Sequence, residues 1–166
     1  MTKINLDLLL AMADICDINV EYGHLPTGLL GKANAETKTI TLDTRLKPRS
    51  RLHKCVLAEE IGHILYPPRP GQVRYHSKGF YDMENIGMVK HIVAQDERKA
   101  LDWAASVLVP DVEFWDAIHN GVDTVLGMME YFEVEDWLVR HKIGYVRRKG
   151  RDSGERLKWK DIIGRT

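Results

Sequence analysis

Cysteine is scarce in this chain: Cys16 and Cys55 are the only two, and each reads as a small core residue rather than half of a redox pair. Long apolar runs are missing too, so nothing argues for a membrane span. The run near the start, Leu8 to Ala13, is flanked by Asp7 and Asp14 and has no basic segment ahead of it, which makes a poor secretory signal. A cytoplasmic protein with reduced thiols is expected, and the sequence leaves its oligomeric state open. An excess of charge of one sign is absent as well, with 24 basic and 24 acidic residues.

That balance hides an asymmetry. Positions 140–166 carry ten Lys/Arg against three Asp/Glu, leaving 14 of the 24 basic and 21 of the 24 acidic residues in positions 1–139. A basic end on an acidic body attracts nucleic acid or an acidic partner. Without aromatic interleaving beyond Trp159, a solvated tail is the simpler reading. A hydrophobic fraction of 44% in 166 residues is that of a globular chain able to bury a substantial core.

Leu6 to Cys16 has helical spacing, and Ile18 to Tyr22 alternates like a strand. Pro26, Gly28 and Gly31 punctuate a segment with a possible strand at Leu29-Leu30. Asn34 to Glu36 is a turn before the β-branched run Thr37 to Leu42. Pro48 and Pro67-Pro68 bracket one long helix over 48–65, since proline suits a first helical turn and ends a last one. Residues 68–81 read as a loop, and a second long helix runs over 89–108 to Pro110. Shorter helices are expected over 112–118, 122–132 and 134–146, with a flexible stretch from Gly150 to Gly154. The fold class is α+β. The expected division is a core over 1–110, a helical extension packed on it over 111–147, and a basic tail over 148–166.

The chemistry lies on the two long helices. Leu52, Val56, Glu59 and His63 fall at steps of four and three, so they share one helix face. That face is otherwise apolar and points inward, where a carboxylate needs a compensating partner. On the second helix Ala94, Glu97, Ala100, Leu101, Ala104 and Leu108 repeat the pattern, with Asp96, Arg98, Lys99 and Asp102 on other faces and Arg98 spaced to pair with Asp102. A divalent metal held by Glu59, His63 and Glu97 would satisfy all three, leaving positions open for water. Glu60, rotated about 100° from Glu59, is placed as a general base for that water. Gly62 allows a close backbone approach. Set against the H-E-x-x-H pattern of two histidines and a base, this chain reads Glu59-Glu60-Ile61-Gly62-His63. Alone, that string also fits a surface Glu-Glu pair beside a buried histidine; Glu97 tips the balance towards a metal.

The residues Leu25-Pro26-x-Gly28-Leu29-Leu30-Gly31, Cys55-Val56-Leu57-Ala58-Glu59-Glu60-Ile61-Gly62-His63 and Glu97-x-x-Ala100-x-x-Trp103-Ala104, continuing to Leu108-Val109-Pro110, resemble the ImmA/IrrE family of metallo-endopeptidases. The likeness runs from about residue 4 to about residue 147 and includes Tyr131-Phe132-Glu133-Val134. It implies a zincin-like core: an N-terminal helix, a small three-stranded antiparallel sheet and two metal-binding helices, followed by C-terminal helices. It implies His63 and Glu97 as metal ligands, Glu60 as catalytic base, and one zinc ion. The implied substrate is a protein, such as a phage-type helix-turn-helix repressor.

Glu59 stands where many members carry the first histidine, a form shared by a phage-type branch. Two carboxylates and one imidazole make a harder, more anionic site, which favours manganese or iron more than two histidines would and weakens water activation. His76, Tyr75 and Tyr81, between the long helices, are candidates for a further ligand or transition-state stabiliser. His53 is expected to face away from the ligands, at the surface or in support. His91, His119 and His141 are expected to be ordinary, and Trp103 and Trp115 core anchors. The rival reading is a regulatory or binding protein without efficient hydrolysis, acting through protein or DNA contact. Residues 122–132 and 135–146 around Glu133-Val134, followed by Arg147-Arg148-Lys149, have helix-turn-helix spacing.

Overall fold

The computed structural model describes residues 3–67 and 87–152; within these, the side chains of 87–94, 96 and 151–152 are left aside. Helix α1 (Leu6–Ile15) starts where the Asn5 side chain accepts a hydrogen bond from the Leu8 N–H, and it buries Leu9 and Ala13. Asp17, in the left-handed region at φ 56°, turns the chain into β1 (Asn19–Gly23). Strands β2 (Gly31–Asn34) and β3 (Thr39–Asp43) form a hairpin. Its turn is fixed by Asn34 Oδ1, which accepts from the N–H groups of Glu36 and Thr37.

The sheet corrects one expectation. Its order is β1-β3-β2, with β3 antiparallel to β2 but parallel to β1, so it is mixed rather than antiparallel. Residues 24–30 carry the chain across the sheet, and the hairpin then returns β3 to the gap between β1 and β2. Alternation along a strand records which face is buried, not which way its neighbour runs. Central β3 buries both Ile40 and Leu42 completely.

A 3₁₀ turn (Thr44–Leu46) leads into α2 (Ser50–Leu65), which packs against α1, β2, β3 and the long α3 (Gly87–Leu108). Surrounded on these sides, α2 is buried continuously from His53 to Ile64, including its polar residues. Helices α4 (Asp111–His119), α5 (Val125–Phe132) and α6 (Asp136–Asp152) add Phe114, Met128, Phe132, Leu138 and Val139 to the same hydrophobic cluster. The expected boundary at 147 falls inside α6, which continues through a buried Gly150 because Arg148 and Lys149 are held by Asp102 and Asp111. Among the described residues no helix is long and apolar enough to cross a membrane.

Candidate metal centre

Gly62 is where α2 and α3 meet. A methyl group there would lie 2.6 Å from the Ala100 carbonyl oxygen and 2.9 Å from its Cα, so only glycine allows the two backbones this close. The close approach expected at Gly62 is thus filled by α3. His63 follows Gly62, and Glu97 lies one helical turn before Ala100. This contact therefore brings the carboxylate of one helix to the imidazole of the other, with Glu97 Oε2 3.3 Å from His63 Nε2.

Glu59, one turn before His63, completes the group. One ligand-type atom from each of Glu59, His63 and Glu97 lies within 4.8 Å of the other two. Glu59 and His63 are buried, at 7% and 4% exposure, whereas the Glu97 side chain remains 26% exposed. Burial, reinforced by the charge of Glu97, pushes the Glu59 carboxyl up to about 8. Two carboxylate oxygens and an imidazole nitrogen, converging at this range on rigid helices, are a donor set that fits a divalent first-row ion.

Glu60 is not a member of this group. It is the most deeply buried acid on α2, at 1% exposure, and burial drives its carboxyl well above the ordinary range. Glu59 and Glu97 raise it further, which places it beside the group. A buried carboxyl with a raised pKa, adjacent to a metal-type cluster and outside it, has the setting of a proton carrier.

Of the two places expected for His53, the surface is excluded. The residue is buried, and its Nε2 is 3.0 Å from the Tyr22 hydroxyl with the two rings edge to face. Sequence spacing missed this because the rest of α2's surroundings come from strands distant in the chain. Asp102 meets His141 at 2.6 Å and Arg148 at 2.9 Å, where a pairing with Arg98 was expected. Trp103 and Trp115 pack half-buried against the core, as anchors. Cys55 is fully buried, its thiol pushed up to about 12 by desolvation, and Cys16 is a free, half-buried thiol. His76, Tyr75 and Tyr81, together with the His91 side chain, lie outside the described residues.

Two arrangements went unread in the sequence. The Glu60 side chain lies against Gly31 of β2. The Asp43 carboxylate accepts from the Leu25 N–H and from Arg45, while Arg45 donates to the Leu29 carbonyl. Glycine and proline between residues 26 and 31 marked a turn but not what it packs on.

Helices α5 and α6 are joined by residues 133–135, with Glu133 in the left-handed conformation at φ 55°. The leading turn of α6 is acidic, with Asp136 exposed next to Glu135. Four bases of α6 pair with acids of α3 and α4, His141 and Arg148 with Asp102, Lys142 and Lys149 with Asp111, while Arg140 and Arg147 are exposed.

No protein-family model matches the chain, and no curated protein matches its sequence.

Proposed function

We propose that the protein is a metal-dependent peptide-bond hydrolase, a metallo-endopeptidase on a zincin-like scaffold like that of the ImmA/IrrE proteins it resembles. The observation that carries this reading is the convergence of Glu59, His63 and Glu97 within 4.8 Å, with Glu60 beside them but not among them. These three residues would hold one divalent ion, zinc first, with manganese or iron favoured more than by a two-histidine site. Such an ion, when bound, acts as a Lewis acid on a carbonyl and makes water a stronger acid.

The remaining chemistry falls to the chain itself. Glu60 takes a proton from the attacking water and delivers it to the departing amine, which requires a carboxyl able to hold a proton near neutral pH. Burial, with Glu59 and Glu97 close by, raises its carboxyl in the direction that this step uses. The α2–α3 contact at Gly62 keeps the ligands fixed, so little reorganisation is needed when a substrate binds. By resemblance, the substrate is a cytoplasmic partner protein such as a helix-turn-helix repressor. Nucleic acid is left out of this reading because the start of α6 that would enter a groove carries Asp136, directly after Glu135, and phosphate repels both.

Incubating the protein with candidate repressors, with and without added metal, tests the activity. Cleavage that needs the metal and vanishes in Glu60→Gln supports it; cleavage unaffected by that substitution contradicts the role of Glu60, and a regulatory protein acting by contact alone would be indifferent to it.

A further inference from the structure

Gly31 lies at the start of the edge strand β2, buried and opposite Leu42. Its backbone does not require glycine, since the glycines at positive φ among the described residues are Gly28 and Gly121. What requires it is space. A methyl group at position 31 would overlap Glu60 Oε1 and lie 2.8 Å from its Cγ and 2.9 Å from its Cδ, closer than real Cβ contacts allow. By contrast, the same atom added at Gly23 on β1 would meet Thr41 Cγ2 at an ordinary 3.5 Å.

The strand has little freedom to retreat. The Asp43 N–H bonds the Leu30 carbonyl at 2.9 Å, next to Gly31. The Asp43 side chain also holds the Leu25 N–H at 2.8 Å, and Arg45 reaches the Leu29 carbonyl at 3.2 Å. The segment entering β2 is thereby tied to the end of β3 from both sides.

We propose that Gly31 is a positioning residue for Glu60, its bare backbone forming the seat that holds the carboxylate beside the Glu59–His63–Glu97 group without joining it. The value of this seat to catalysis rests on the hydrolase reading, but the seat itself is a steric relation that can be tested without any activity. A side chain at position 31 must displace either the Glu60 carboxyl or the tied strand.

The test is a double-variant cycle on the full chain, read by thermal unfolding. Gly31→Ala is expected to lower Tm by about 5 °C in the wild-type background. In the Glu60→Ala background it is expected to change Tm by less than about 1 °C, because the obstructing atoms are gone. Glu60→Gln, equal in length to the native side chain, is expected to give no such relief, which separates crowding from charge. An equal loss for Gly31→Ala in all three backgrounds overturns the proposal. If Gly31→Ala alone does not fold, a folded Gly31→Ala/Glu60→Ala protein supports the seat, and an unfolded one overturns it. Absence of metal from the wild-type protein would defeat the hydrolase reading while leaving this cycle to decide the seat.

Discussion

Two polar clusters in this protein are built on opposite rules. Between α3, α4 and α6, acids meet bases: Asp102 joins His141 and Arg148, and Asp111 joins the fully buried Lys142 and the exposed Lys149. Although burial opposes it, the two lysines together hold the Asp111 carboxyl below its ordinary range. Between α2 and α3, the carboxylates of Glu59 and Glu97 meet one imidazole with Glu60 beside the group, and the carboxyls of Glu59 and Glu60 are driven upward by burial and by neighbouring acids. The first arrangement stabilises its own charges and reads as architecture. The second raises the cost of its own charges, an arrangement proteins keep where a cation binds or a proton moves.

Substitutions can break this contrast. The largest effect is expected from Glu60→Gln, which should reduce peptide hydrolysis by about 10²- to 10⁴-fold while leaving bound metal in place; turnover and metal content measured on one preparation check both. In the balanced cluster, Asp111→Ala leaves Lys142 buried without its carboxylate and is expected to cost about 3 kcal/mol in urea unfolding. Adding Lys142→Met should recover most of that loss, as expected if the pair is architecture alone. No comparable rescue is expected when an apolar residue replaces a ligand in the α2–α3 group and metal binding is measured.

Gly62→Ala would force α2 from the Ala100 backbone and is expected to cost about 2 kcal/mol, with weaker metal binding because Glu97 and His63 separate. Equal metal affinity in that variant would show that the helix contact does not set the group. The smallest effect concerns Asp43, whose carboxyl is held well below the ordinary range, chiefly by its side-chain bond to Arg45. Because this pKa is depressed on folding, the stabilisation is present above the unfolded carboxylate range and is lost as pH falls through the folded value. Asp43→Asn should therefore cost about 1 kcal/mol at pH 7, with the gap to wild type narrowing in strong acid; a gap independent of pH would contradict the charge assignment.

How much of this was legible in the sequence follows from distance along the chain. The apolar spacing of Leu52, Val56, Glu59 and His63 is local information, and it marked both α2 and its inward face. Glu97 was legible for the same reason, as one carboxylate in a stripe of alanines and leucines. Pairings between distant segments were not. The parallel β1–β3 ladder depends on how residues 24–30 cross the sheet, and His53 finds Tyr22 from a strand thirty-one positions earlier. The length of α6 was underestimated because Asp102 and Asp111, which hold its final turns, lie on α3 and α4. Gly31 looked like turn punctuation, yet its neighbour is Glu60, on the far side of the hairpin.

The central claim, that Glu59, His63 and Glu97 form a metal site, is tested most directly by elemental analysis of the purified protein alongside Glu59→Ala and Glu97→Ala. The expected result is about one equivalent of zinc, manganese or iron in the wild type, lost in both variants. No stoichiometric metal, even after supplying all three ions, would contradict the account and leave these residues as a buried polar cluster between two helices.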